Sequence, residues 1–357
     1  MTDKKEIQDT IIKAEEEEEV TEEEFWNIIR MVAPGTNLRS ALNGALKAGK
    51  GALIAIENDH LTPLIDGGFK IHARFTPQRL IELTKMDGAI ILSRDMKKIN
   101  YANVLLTPDS KIRSIETGTR HKAAERTAKQ TRSLVIAISE RKHEITLYYK
   151  KIRYPLVHTD ELLRKTSEQI QILERQRELF DRHIEKLTHL ELRNQPSLNQ
   201  AVNAIQKGII VKKISEELQR YLIELGREGT LLKTRLKEIT ADVEDETDLI
   251  IKDYSKEGLK NSKFILENLS YEEIIDKQEI LKGLGYESSN DIGNKHIEGW
   301  RILSKTSLSE AEIALLVKEM GSLGKIIYSN FTAHQTILGE EKLNAFKEEI
   351  SRVKLNY

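Results

Sequence analysis

The stretch Glu116-Thr-Gly-Thr-Arg-His-Lys-Ala-Ala-Glu-Arg126 holds the residue types best suited to chemistry. A Thr-Gly-Thr turn feeds a helix predicted over Thr119–Gln130, and the first turn of that helix carries Arg120, His121 and Lys122. Unpartnered backbone N–H groups and the helix dipole already favour an anion at such an end. Cations normally sit at the other end, so three potentially cationic side chains here are unfavourable unless a strong anion such as a triphosphate offsets them. Residues 111–132 hold seven Lys or Arg against two acids, a local excess of five in a chain of formal net charge -1. The plain alternative is a solvated basic face. Ser139-Glu-Arg-Lys142, at the end of the following strand, adds a hydroxyl and further cations to the same pocket.

A second constellation is Lys85-Met-Asp-Gly-Ala89. Asp87 and Gly88 sit between the end of a predicted helix and a buried strand. Glycine permits unusual backbone angles and close approach of a ligand, and an acid beside it can hold a hydroxyl or a metal. The alternative is a helix C-cap with a solvated Asp. The chain has neither a Gly-x-Gly-x-x-Gly fingerprint, a phosphate loop nor a His-Glu-x-x-His pair, so the ordinary dinucleotide, P-loop and zincin sites are excluded. With no Cys, disulfides, thiol catalysis and Cys-ligated zinc are excluded too.

These residues need a scaffold, and hydrophobic periodicity supplies one. Helices are predicted over Glu22–Val32 and Asn37–Ala48, the first ending before Pro34-Gly35. Gly51–Ile56 reads as a buried strand. Phe69–Ile71 alternates, and Gly67-Gly68 precedes it as a breaker. Thr76-Pro77 opens a helix to about Met86, with Thr as N-cap and Pro in the first turn. Ala89–Leu92, Lys98–Leu106, Leu134–Ile138 and Ile145–Tyr149 are further strands, the last two a hairpin across Glu140–Glu144. Strands interspersed with helices give a mixed α/β domain over residues 25–150.

From Asp160 to Ser255 strand signals vanish and apolar residues recur at helical spacing, which predicts a spine of long helices over 151–275, broken at Pro196. A small all-α domain takes 276–357. Residues 1–24 carry eleven acids against three Lys, with Glu15–Glu19 as an unbroken run, and read as a solvated acidic tail. The 357 residues suggest two or three domains, and 32% charged with only 5% aromatic residues fits a helix-rich globular chain. No apolar run approaches the roughly 18 residues a membrane helix needs, and with no basic region followed by an apolar one near Met1 a secretory signal is not expected. A cytoplasmic protein with no membrane partner is expected.

In order along about 115 residues, the stretches Ala33-Pro-Gly-Thr36, Asp66-Gly-Gly-Phe69, Lys85–Ser93, Tyr101-Ala-Asn103, Pro108-Asp109, Glu116–His121, Ala124-Glu-Arg126, Ala128–Thr131, Ile136–Ser139 and Thr146-Leu-Tyr148 resemble the DNA integrity scanning proteins, a family of bacterial diadenylate cyclases. Gly283-Leu-Gly-Tyr286 and Gly299-Trp-Arg-Ile-Leu303 continue the likeness more loosely. The resemblance implies an α/β cyclase domain, a helical spine and a small helix-hairpin-helix-like DNA-binding domain, assembled as an octamer whose cyclase domains meet face to face. The family's Asp-Gly-Ala motif falls on Asp87, Gly88 and Ala89. Its Arg-His-Arg motif falls on Arg120 and His121, with Lys122 replacing the last Arg. Lys keeps the charge and loses the bidentate fork. The backbone at Leu106 and the run Thr119–Ala123 match the family's nucleotide contacts, and Ala123 stands where relatives often carry Thr.

The activity this implies condenses two ATP into cyclic di-AMP and two pyrophosphates, with Mg²⁺ or Mn²⁺ as cofactor. Asp87 would orient the attacking 3′-hydroxyl, help to deprotonate it and be the candidate metal ligand, and Arg120 and His121 would act on the phosphates. In the C-terminal domain the matching DNA hairpin is Ile337-Leu-Gly-Glu-Glu-Lys342, with Gly339 and Lys342 as candidate contacts to branched DNA and Ile337 in place of the first Gly. Residues 276–357 hold eleven Lys or Arg against twelve acids, poor electrostatics for a DNA binder. Met320–Gly324 reads as the other hairpin turn or as a helix C-cap. The competing reading is a DNA-binding scaffold or cyclic-nucleotide sensor with a decayed cyclase site, supported by Lys122, Ala123 and Ile337.

Overall fold

A computed structural model describes residues 20–287, 296–328 and 338–356. The Glu15–Glu19 run and Ile337 lie outside the described residues. The chain divides into two compact units, one reaching Lys165 and including Arg220–Leu231, the other holding Thr166–Gln219 and the residues from Leu232 onward.

The first unit is built on an eight-stranded mixed sheet, ordered β2-β5-β4-β1-β6-β7-β8, with β3 also pairing β5. The strands are β1 Ala52–Ile56, β2 Ile65–Asp66, β3 Phe69–Arg74, β4 Ala89–Leu92, β5 Lys98–Leu106, β6 Val135–Ser139, β7 Glu144–Tyr149 and β8 Ile152–Pro155. Only β1 and β4 run parallel; the other pairs are antiparallel. The central strands β1, β4 and β6 read as continuous apolar runs because both their faces are covered. On one face Ile54, Ile90, Leu92, Ile136 and Ile138 pack with Ile29, Leu42 and Leu80 from the helices Glu22–Met31, Asn37–Lys47 and Pro77–Leu83. On the other, Leu53, Ala55, Ile91, Val135 and Ala137 pack with Ala124 and Ala128 of the helix Thr119–Thr131.

Three expectations shift. The helix that opens at Thr76 ends at Leu83, and Lys85–Gly88 form a turn rather than its last residues. The sheet continues beyond residue 150 through β8, which pairs along β7. The acidic tail expected over 1–24 gives way at its end to the helix, which starts at Glu22 as predicted, so Glu22, Glu23 and Glu24 form a first turn, where acids complement the dipole. Thr21 and Glu24 close a capping box there.

Beyond the sheet every described element is helical. The two longest helices are Thr159–Leu192 and Leu198–Leu225, and Pro196 lies between them as expected. In the second unit Arg301 is fully buried and forms ion pairs with Glu191 and Glu246, while Tyr254 donates to Glu191 at 3.0 Å. Asp253 accepts from the backbone N–H groups of Gly299, Trp300 and Arg301 at 2.9, 2.9 and 3.0 Å. The Gly299–Leu303 stretch is thus a packing motif that anchors the later helices. Gly321 adopts a left-handed φ of 74° as C-cap of the helix Glu310–Met320, and the next helix begins at Leu323. Gly339 has φ 76° just before the helix Glu340–Asn356, and Lys342 forms an ion pair with Glu312.

Candidate active site

The helix Thr119–Thr131 has Gly118 at its N-cap with no side-chain cap and no acid in its first turn. Its leading N–H groups therefore lack the partners that capping would give them. The loop before it is stitched to the helix body. Arg126 Nε donates to the Ile112 carbonyl at 2.9 Å, Lys129 Nζ to the Arg113 carbonyl at 2.9 Å, and the Asp109 N–H to Gln130 at 2.8 Å. Lys129 also pairs with Glu125 at 2.7 Å.

This sorts the basic cluster. Arg126 and Lys129 are structural, whereas Arg120 and Lys122 have no hydrogen-bond or ion-pair partner among the described residues. Both side chains are half-buried. The Arg120 guanidinium lies over Gly51, where a β-carbon would come within 2.1 Å of Nη1.

His121 is held differently. Its Nδ1 lies 2.9 Å from the Tyr148 hydroxyl, which donates to Glu116 Oε1 at 2.7 Å. Arg153 Nε donates to the same Glu116 oxygen at 2.6 Å. Burial pushes the His121 imidazole below its ordinary value, and Glu116 opposes the shift. Burial raises the Glu116 carboxyl, but Arg153 and Tyr148 outweigh it and hold it low. Burial and the Glu116 contact raise the Tyr148 phenol, so it stays protonated. A cavity of about 400 Å³ is lined by His121 and Ser139 together with Glu116, Gly118, Arg141 and Lys142, among others.

The other predicted residues do not line that cavity, but strand register brings most of them to the same end of the sheet. Ala89 pairs with Val104 of β5 and with Leu53 of β1, and Ala52 pairs with Ile138 of β6. Asp87-Gly88 at the start of β4, Leu106 at the end of β5, Gly51 before β1 and Ser139 at the end of β6 therefore share one edge. Adjacent strands are about 4.8 Å apart. Gly88 has φ 88°, and a β-carbon there would sit 2.8 Å from the Asn103 carbonyl carbon, where a bulge in β5 crowds it. Only glycine fits. The turn leaves Asp87 exposed and without a partner among the described residues. The Leu106 side chain is buried, Thr119 is exposed and Ala123 packs against the core between its own helix and the sheet. Ser139 Oγ accepts the Lys142 N–H at 3.3 Å and keeps its own proton to donate.

Glu116, Tyr148, Arg153 and Gly51 were not singled out by sequence as site residues. Glu116 and Tyr148 lie inside stretches that carry the family resemblance, which was the available signal. No group of three or more His, Cys, Asp or Glu able to hold a metal occurs among the described residues. No described helix is long and apolar enough to cross a membrane.

An α/β sheet that gathers unpaired cations, a helix N-terminus and a free carboxylate at one edge defines a site for a phosphorylated ligand. Comparison with known proteins agrees. Residues 39–152 match the DisA bacterial checkpoint controller nucleotide-binding family, and residues 156–292 match the DisA bacterial checkpoint controller linker region. The DNA integrity scanning protein DisA of Carboxydothermus hydrogenoformans is 40% identical over 336 residues, covering 91% of this chain and 96% of that protein. The proteins of the same name from Fusobacterium nucleatum and Bacillus subtilis are 36% and 38% identical, over 94% and 92% of this chain and 98% and 93% of theirs. The chain belongs to the DNA integrity scanning protein DisA family.

Proposed function

We propose that the protein is a diadenylate cyclase that joins two ATP molecules into cyclic di-AMP and releases two pyrophosphates. The observation that carries this reading is the pair of half-buried, unpartnered cations Arg120 and Lys122 at an uncapped helix N-terminus, on the same sheet edge as the free carboxylate of Asp87. Phosphoryl transfer depends mainly on positioning and on neutralising charge. Arg120, His121 and Lys122 bind the triphosphate and stabilise the departing pyrophosphate. Gly88, Ala89, the Leu106 backbone, Thr119, Ala123 and Ser139 frame the nucleotide. Asp87 orients the 3′-hydroxyl of the attacking ATP and accepts its proton.

The donor set fits Mg²⁺ or Mn²⁺. One free carboxylate and no preformed cage is how Mg²⁺ is commonly held alongside substrate phosphates. Asp87 would be its protein ligand, and the ion would neutralise phosphate charge when bound.

One site holds one ATP, so the reaction needs two protomers face to face, as in the octamer the family resemblance implies. Phe69 and Leu105, 57% and 61% exposed beside the sheet edge, support burial against a second copy. The C-terminal helices, with Gly339 and Lys342, are assigned to branched DNA on family membership. A mobility-shift assay with a branched junction across a salt series tests that assignment, and no shift at low salt removes it.

For the cyclase itself, purified protein with ATP and Mn²⁺ should give cyclic di-AMP by chromatography. Asp87→Asn should abolish the product while leaving the fold intact. Unchanged product formation by that variant would overturn the mechanism, and a different nucleotide product would overturn the reaction.

A further inference from the structure

Tyr148 has one hydroxyl proton, and it points at Glu116, 2.7 Å away. Glu116 is ionised, because Arg153 holds the same oxygen at 2.6 Å. The tyrosine oxygen can therefore only accept from His121 Nδ1, 2.9 Å away, which must carry the N–H. In the neutral ring the proton is then absent from Nε2, which has no protein partner among the described residues. A bare nitrogen lone pair in a cavity meant for phosphate is a mismatch, since phosphate oxygens are acceptors too.

We propose that Glu116 and Tyr148 are positioning residues that hold the His121 proton on Nδ1, so that Nε2 draws a second proton from solvent when a nucleotide phosphate arrives. This rests on the reading of the cavity as a nucleotide site. Without the anion, burial and the nearby Arg120 and Arg153 favour the neutral ring, while Glu116 and Glu144 oppose them. Lys122 follows in the helix, and Arg141 and Lys142 line the same cavity and add positive potential. A phosphate oxygen outweighs these cations at close range, and the Glu116 charge behind Tyr148 steadies the imidazolium. The free ring thus titrates low and the liganded ring high. Binding takes up a proton at any pH between the two, and affinity falls as pH rises from the free value to the liganded one and levels off beyond it.

Two measurements on the full-length protein separate this from the cyclase reading. The ¹⁵N spectrum of histidine-labelled, ligand-free protein reports the His121 tautomer directly, and the Nδ1–H form is expected. An Nε2–H form overturns the positioning role whether or not ATP binds. Calorimetry of 3′-deoxy-ATP binding near neutral pH, in buffers of different ionisation enthalpy, should show uptake of about one proton per nucleotide. Binding without uptake overturns the proposal. No binding with the Nδ1–H tautomer present overturns the nucleotide reading and the proton uptake that rests on it, and leaves only the placement of the Nδ1 proton by Tyr148 and Glu116. In Glu116→Gln the alkaline limb of binding should move about one pH unit lower, and Tyr148→Phe should give mixed tautomers. A Glu116→Gln limb that stays in place would reduce Glu116 to a structural ion pair.

Discussion

The Arg120 guanidinium rests on the bare α-carbon of Gly51, so close that a β-carbon there would lie 2.1 Å from Nη1 and 2.8 Å from Cζ. The obstacle would be the free end of a flexible side chain, so the backbone need not yield. Gly51→Ala should therefore fold with an almost unchanged melting temperature and displace the guanidinium. Misplacing a phosphate-binding group by about an ångström can cost about a hundredfold. Steady-state kinetics should show a loss of ten- to a hundredfold in kcat/KM for ATP.

Gly88 presents the opposite case. Its φ of 88° and the 2.8 Å approach of the Asn103 backbone leave nothing flexible to move. Gly88→Ala should lose about 2–3 kcal/mol of stability, read as a lower urea midpoint. Cyclase activity should fall further than stability alone explains, because Asp87 is aimed by the same turn.

Lys122 has no hydrogen-bond or ion-pair partner among the described residues, so changing it should spare the fold. Lys122→Arg supplies a planar fork for phosphate. A several-fold lower KM for ATP is expected, and Lys122→Ala should raise KM by tenfold or more. Equal KM values in all three proteins would show that Lys122 does not touch the nucleotide.

Lys342 is held by Glu312, whose carboxyl is drawn down to about 2 by Lys342 first and then by Ser309. A depressed carboxyl stabilises the fold fully above its ordinary value near 4.5, and that contribution disappears as pH falls through about 2. Lys342→Ala should bring the Glu312 titration back toward the ordinary value, measurable by carboxyl NMR. Glu312→Gln should release the lysine. In a junction-DNA titration the slope of log affinity against log salt should then steepen by about one.

Much of this was legible because local pattern and environment agree. Ala89–Leu92 and Lys98–Leu106 fold over the predicted bounds, since an apolar run and an alternating run match strands covered on both faces and partly on one. Strand β8 was not legible: four residues at a sheet edge, alternately half-buried and exposed and ending in Pro155, give hardly any periodic signal. Asp87, Arg120 and His121 stand out by type and local setting. Tyr148 and Arg153 do not, because their contact with Glu116 spans 32 and 37 residues of sequence and depends on β7 and β8 lying beside one another. Lys342 looked free in sequence because its partner Glu312 is 30 residues away.

The position of β1 at the centre of the sheet has a consequence for synthesis. Made early, it must wait for β4 on one side and, across the Ala52–Ile138 pairing, for β6 on the other. A nascent chain ending before Ser139 leaves β1 with an open, apolar edge, the kind of surface that recruits strands from neighbouring chains. Early-made β1 thus stays exposed to such recruitment until β6 has been synthesised.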